Sequence, residues 1–246
     1  MGDFLLPFLI AFFAFLIWLA VDTAKAGVAA EKEREMCIER REEFVKSMGP
    51  GVRTIINNGT DLLFIDDEKK SIGIDESGET IKFSELCSIS IHDQSLSAIT
   101  EAPIRNSFIL SWGDVRPLNK AEIMRIADAL MPIVRKNLSC ELKKYHVLPT
   151  YEYEHDGEIW GCDINSKQFY AVAGCQAVHK FSALKKVTVE DLTKNSICNA
   201  NYIIHVIVKD ADDWMDMPLE YEIYFKNRDK TFYDLLAMFK GIRNRA

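Results

Sequence analysis

The sequence lacks an excess of positive charge. Its 30 Lys and Arg stand against 37 Asp and Glu, a net charge of −7 over 246 residues. A nucleic-acid binder presents a basic face to the phosphates, so no nucleic-acid partner is expected. Generic adhesion to anionic lipid also needs clustered Lys and Arg, and the acidic balance argues against it.

The spacings that carry chemistry are missing too. Cys37, Cys87, Cys140, Cys162, Cys175 and Cys198 are scattered, with no C-x-x-C pair and no Cys/His cluster at zinc-ligand spacing. Reduced, mostly buried thiols are the expectation. There is no Walker A loop, no G-x-G-x-x-G after a strand, no H-E-x-x-H and no G-x-S-x-G. His92, His146, His155, His179 and His205 are dispersed. "EHDGE" (Glu154–Glu158) sets His155 among acids and reads as a turn before the strand "IWGCDI". No catalytic residue, metal ligand or cofactor is expected, and the chain reads as a non-enzyme.

What is present begins with "FLLPFLIAFFAFLIWLAV" (Phe4–Val21), an uncharged apolar run. As a helix it would rise about 27 Å, enough to cross a hydrocarbon core. Pro7 falls in the first turn, where a missing N–H costs little, and Trp18 lies near the far end, where an indole suits the membrane interface. "AKA" (Ala24–Ala26) has the small-x-small look of a signal-peptide cleavage site, but no Lys or Arg precedes the run. The expectation is an uncleaved anchor over residues 1–23, with Phe4, Pro7 and Trp18 as its anchoring residues. Lys25, Lys32, Arg34, Arg40 and Arg41 follow it, while Asp3 precedes it. The positive-inside rule then predicts a single pass in the cell inner membrane, N-terminus outside and body in the cytoplasm.

Residues 24–50 read as a helical stalk. "AEKEREMCIERREEFVKSM" (Ala30–Met48) is rich in helix formers, and "GPG" (Gly49–Gly51) ends it. Ala30, Cys37 and Phe44 recur every seven residues, a seam too short for a coiled-coil assignment.

Beyond the stalk the hydrophobic period becomes two. "DLLFID" (Asp61–Asp66), "KSIGID" (Lys70–Asp75), "ETIKF" (Glu79–Phe83) and "LCSISIHD" (Leu86–Asp93) read as an antiparallel meander, followed by a faint strand "LSAIT" (Leu96–Thr100) and "NSFILSW" (Asn106–Trp112). A helix follows, with Ile123, Ile126, Ala127, Leu130, Ile133 and Val134 on one face and Asn119 as its N-cap. Pro132 predicts a kink or a short last segment.

The second half repeats the programme. An ungapped offset of 98 places Lys69 on Lys167, Ile72 on Tyr170, Ile74 on Val172 and Phe83 on Phe181, and aligns "KFSELCSISIHD" (Lys82–Asp93) with "KFSALKKVTVED" (Lys180–Asp191). An offset of 109 aligns the closing helices, Ile126 with Leu235 and Leu130 with Phe239. The shared string predicts a Phe ending one strand, a Ser hydroxyl capping a tight turn, and a strand alternating apolar-in and polar-out. The eleven residues by which the offsets differ are expected to include the loop "KDADDWMDMPLE" (Lys209–Glu220), between the strands "NYIIHVIV" and "YEIYFK". Its acidic residues lack the glycine and closing glutamate of an EF-hand, so a solvated turn is expected rather than calcium. Trp214, Met215 and Met217 on that loop either fold back on the domain or meet a partner, and they are the candidate partner-binding residues.

"FSELCSISI" and "FSALKKVTV" resemble the aromatic-Ser-x-aliphatic turn and following strand of bacterial pleckstrin-homology-like (PH-like) domains. The resemblance implies an α+β chain with two tandem PH-like units, 51–146 and 147–246, each a bent antiparallel sheet or barrel capped by a C-terminal helix. A β-sandwich with a packed helix fits nearly as well. Familiar PH domains hold phosphoinositides through basic residues in the first hairpin loop. The matching loops here, "DDEKK" (Asp66–Lys70) and "NSKQ" (Asn165–Gln168), carry no such cluster. The expected function is a membrane-anchored interaction or scaffold module that binds a protein partner or self-assembles. A lipid-headgroup sensor and an enzyme with an unrecognised site are the alternatives.

Overall fold

The apolar run and the charged stretch after it form one continuous helix, α1 (Leu5–Ser47). It belongs to a computed structural model that describes residues 5–74, 80–102, 105–173, 175–193, 200–209 and 218–246, with side chains left out at 5–14, 17, 92, 101–109 and 175. Among the described residues no helix is long and apolar enough to cross a membrane. Phe4 and most side chains of the apolar run lie outside those residues.

The remaining elements follow in two matching series. The first holds β1 (Val52–Asn57), β2 (Leu62–Asp66), β3 (Ser71–Gly73), β4 (Thr80–Lys82), β5 (Leu86–His92), β6 (Ser95–Ala102), β7 (Arg105–Trp112) and α2 (Lys120–Lys144). The second holds β8 (Tyr151–His155), β9 (Glu158–Asp163), β10 (Gln168–Ala173), β11 (Cys175–Lys180), β12 (Leu184–Asp191), β13 (Tyr202–Val208), β14 (Leu219–Phe225) and α3 (Lys230–Arg243). A 3-10 turn precedes β5 (Phe83–Glu85) and β12 (Phe181–Ala183) alike. The fold is α+β, with four antiparallel sheets in the orders β1-β2-β3-β4, β5-β6-β7, β8-β9-β10-β11 and β12-β13-β14. Among the described residues no sheet closes into a barrel.

The chain divides into two compact units, residues 1–68 with 73–79 and residues 69–72 with 80–246. In the first, the C-terminal part of α1 packs on the β1–β2 hairpin. Val45, Leu62 and Phe64 are buried there, with Phe44 edge-on to Phe64 at 6.0 Å. Polar bonds extend the seam: Arg34 Nε donates to Asn58 O at 2.7 Å and Asn57 Nδ2 to Ile38 O at 2.9 Å. The seven-residue spacing of Cys37 and Phe44 marks this docked face, for Cys37 Sγ also reaches Gly59 O at 3.6 Å.

In the second unit the core is aromatic. Trp160 meets Tyr221 and Phe239 edge-on at 5.3 and 5.8 Å, and Phe225 meets Phe232 at 5.1 Å. Each fully buried ring of this kind contributes roughly 2–3 kcal/mol by removal from water. α3 supplies Phe232, Leu235, Met238, Phe239 and Ile242 to the core. α2 buries Ile126, Leu130, Val134 and Leu138. At its start Asn119 Oδ1 accepts from Glu122 N–H, and Glu122 Oε2 accepts from Asn119 N–H. The short last segment expected after Pro132 is not what forms: α2 runs on through it to Lys144. Asn137, past the proline, donates to Phe83 O and Leu86 O and ties this last stretch to the 3-10 turn before β5.

The two series match more closely than the ungapped alignment, and in one stretch differently. Lys70 and Lys167 both sit at φ 55°, and their carbonyls accept from Phe83 N–H and Phe181 N–H, each at 2.8 Å. Asp66 Oδ1 accepts from Glu68 N–H as Asp163 Oδ1 accepts from Asn165 N–H. The turn lysines are therefore 97 apart and the phenylalanines 98, so one residue is taken up between them. Ile72 corresponds to Phe169 and Gly73 to Tyr170. The one-residue slip matters because it moves every side chain of β3 to the other face.

The correct register exposes an exchange. Phe64 on β2 lies over Gly73 on β3, where an added Cβ would come within 1.9 Å of the ring. Gly161 on β9 lies under Tyr170 on β10, its cross-strand partner, where an added Cβ would come within 2.3 Å. Each hairpin holds one aromatic and one glycine, on opposite strands in the two repeats.

Three further expectations are corrected. The shared Phe-Ser-x-Leu turn is closed by the backbone, Leu86 N–H to Phe83 O and Leu184 N–H to Phe181 O, rather than by a serine hydroxyl. The faint strand is the full-length β6. Two strands, β1 and β8, were not anticipated. The extra length of the second repeat is shared by two connections, 192–201 and 209–218, where 93–94 and 103–104 suffice in the first.

Candidate functional site

Trp214, Met215 and Met217 lie outside the described residues, although β13 and β14 pair up to Val208–Leu219 on either side of their loop. Phe4 also lies outside them, and Pro7 falls within α1 with its side chain undescribed. Trp18 is exposed and stacks on Phe15 at 6.1 Å.

The described residues bring together a different set. β8 alternates, so Tyr151 and Tyr153 share one face, and Tyr151 pairs with Cys162 on β9. On α3, Asp234, Ala237, Met238 and Gly241 follow helical spacing along one side. These faces line a cleft of about 280 Å³ whose floor includes Phe181, Ile164 and Ile242. Asp234 and Arg245 are its two charged groups. Gly241 faces open space, with no atom within 4 Å of an added Cβ.

Burial shapes the chemistry of the lining. It pushes the Cys162 thiol up to about 11, with Arg245 acting weakly the other way. Cys162 is therefore a neutral thiol near pH 7 and a poor nucleophile. Burial, then the charge of Asp234, raises the Tyr153 phenol. An apolar floor with one guanidinium and one carboxylate suits the grip of an apolar group bearing a polar end.

On the far side of β8, Arg135 of α2 forks between Glu152 and Glu154 at 2.7 and 2.6 Å. Glu152 also accepts from Tyr170 Oη at 2.6 Å. Burial first, then this bond, raises the Tyr170 phenol. The bond to Glu152 is the main cause of a raised Arg135. The network joins the helix of the first repeat to the first strand of the second.

The "EHDGE" stretch is the β8–β9 turn, with Asp156 and Gly157 both at positive φ. His155 stacks on Phe225 at 3.9 Å and donates from Nε2 to Tyr224 O at 2.8 Å. Burial, reinforced by the charge of Asp156, raises Glu158 to about 7. At the end of β9, burial works against ionisation of Asp163, but N–H groups of Leu148, Asn165 and Ser166 and the Ser166 hydroxyl outweigh it and lower its pKa. Cys37, Cys87, Cys140 and Cys162 are in no disulfide among the described residues.

The cleft was missed in the sequence because its lining comes from three separate segments, 151–164, 181 and 234–245. The one available signal was the spacing of Asp234, Met238, Gly241 and Arg245 on the last helix. Compared with known proteins, the chain matches no protein-family model and no curated protein.

Proposed function

We propose that the chain is a non-enzymatic interaction module, anchored in the membrane by Phe4–Val21, whose cytoplasmic body holds a protein segment near the bilayer. We further propose that its two repeats are PH-like units, a reading supported by four strands, a 3-10 turn, three strands and a helix occurring twice in that order. The observation that carries the function is the cleft between β8 and α3. Its floor is apolar, its two charges are of opposite sign, and β8 is an edge strand of its sheet. An extended segment can add to such an edge while seating side chains in the cleft. Anchoring the body would raise the effective concentration of partner and module at one surface.

A photo-crosslinking side chain at Gly241 in the full-length chain, expressed in membranes, tests this. The expected product is a covalent adduct to protein, either a partner or a second copy, that a co-expressed wild-type chain competes away and a co-expressed chain with its cleft filled by Gly241→Trp does not. Adducts only to lipid would favour a headgroup sensor, and no adduct above that of an exposed control position such as Lys136 would remove the cleft from the proposal.

A further inference from the structure

The outer face of the β12-β13-β14 sheet carries a cluster with no counterpart in the sequence motifs. His205 stands at the centre of β13, directly across from Glu222 on β14. Its Nδ1 lies 3.0 Å from Glu220 Oε1 and 3.8 Å from Glu222 Oε1. On the other side of the ring, Nε2 lies 3.1 Å from Glu190 Oε2 on β12. The histidine is only 16% exposed, while the three carboxylates are about half exposed. Tyr224 Oη donates to Glu222 Oε2, which leaves Oε1 turned toward the ring.

We propose that His205, Glu220 and Glu222 form a binding site for a single divalent transition-metal ion, best matched by Zn²⁺, with Glu190 orienting the imidazole. A neutral ring that donates from Nε2 to Glu190 has a lone pair on Nδ1. In that state a metal ion held among the lone pair and the two carboxylate oxygens takes the place of the proton that would otherwise sit on Nδ1 and be donated to Glu220. A carboxylate behind a histidine, with the metal in front, is the usual support for a metal-bound imidazole. The three ligand atoms lie within 4.8 Å of one another. Around a tetrahedral Zn²⁺ with ordinary Zn–N and Zn–O bonds they would stand roughly 3.5 Å apart, so small side-chain rotations suffice. One nitrogen with two carboxylates favours zinc over Mg²⁺ or Ca²⁺, which take oxygen ligands. Three protein ligands leave a coordination position for water or a donor from outside. The ligands come from two strands and their support from a third, so no spacing along the chain betrays them.

Zinc titration of the full-length protein by calorimetry, with His205→Ala, Glu222→Gln and Glu190→Gln variants alongside, tests the site. The expected result is one Zn²⁺ per chain and a zinc-dependent rise in melting temperature. His205→Ala and Glu222→Gln should each weaken binding about 100-fold or more. Glu190→Gln should weaken it about 10-fold, as loss of a ligand's hydrogen-bonding support does. Mg²⁺ should produce no such rise. Absence of binding at submillimolar Zn²⁺ overturns the proposal. Binding that survives both His205→Ala and Glu222→Gln also overturns it, being an adventitious ion only, held by thiols such as the exposed Cys140. If His205→Ala fails to fold, the isosteric Glu222→Gln decides alone.

Discussion

β5 and β12 occupy the same place in the two repeats. Each follows a 3-10 turn, and each bulges at the same point, between Leu86 and Ser88 and between Leu184 and Lys186. Yet β5 is buried at four successive residues, Leu86 to Ile89, whereas β12 is exposed almost throughout after Leu184. The difference lies in what covers them. Gln176 of β11 donates to Cys87 O, and Ile91 N–H donates to Asp156 O in the β8–β9 turn, so the second repeat lies against β5. Nothing comparable covers β12 among the described residues, and there the sheet displays Lys185, Lys186, Glu190 and the His205 cluster. The comparison teaches that a strand's outer face records its neighbour: small and neutral at Cys87 and Ser88, charged at Lys185 and Lys186.

The comparison is most sharply tested where the repeats exchange an aromatic for a glycine. Gly73→Val or Gly161→Val should each cost about 3 kcal/mol or more, read by urea melts, because the facing ring is fully buried and cannot retreat. Gly161→Phe combined with Tyr170→Gly reproduces the order of the first repeat and should cost clearly less than the two single losses added together. Simple additivity would break the idea of an exchanged pair.

Next in size is the contrast between the strands themselves. Ile89 is fully buried, and Ile89→Ala should cost about 3 kcal/mol. Its counterpart Val187 is only partly buried, and Val187→Ala should cost about 1 kcal/mol or less. Equal losses would mean that both strands are covered alike.

Glu158 provides a pH test in the turn that docks on β5. Its folded pKa of about 7 lies above the ordinary 4.5, so the folded state binds the proton more tightly. Stability contributed by the neutral form should therefore fall as pH rises from about 4.5 to about 7 and then level off. Glu158→Gln should flatten that slope by about 2 kcal/mol in melts at pH 5, 6 and 7. An unchanged slope would place Glu158 in water rather than in the docked turn.

The smallest effect should carry the opposite sign. The buried Ser88 hydroxyl has no hydrogen-bond partner among the described residues, so Ser88→Ala should be neutral or stabilising by under about 1 kcal/mol. Lys186→Ala, at the matching exposed position, should stay within about 0.5 kcal/mol. A clear loss from Ser88→Ala would show that its hydroxyl is satisfied after all.

Much of this fold is legible in the sequence where local chemistry and burial agree. The apolar face of α3, the N-cap at Asn119 and the repeated Phe-Ser-x-Leu string each state their structure directly. β1 and β8 were illegible because "VRTIIN" and "YEYEH" lie partly or largely exposed and alternate with charge, a pattern that also suits a loop. The register of β3 was misread because both faces of that strand are buried, and a period of two cannot reveal a slip when both faces are apolar. The short segment expected after Pro132 failed in the same way, for packing on both sides of the proline carries α2 on to Lys144. The cleft and the His205 cluster were hidden for a simpler reason. Strand pairing and helix docking assemble them, and neither is written in adjacent residues.

Hydrogen exchange, followed residue by residue in the intact chain, tests most directly whether one unit occurs twice and only its first copy is covered by the second. We expect the amides of Leu86–His92 to exchange far more slowly than those of Leu184–Asp191, despite the matching positions of the two strands. Equal protection, or faster exchange in Leu86–His92, would contradict it.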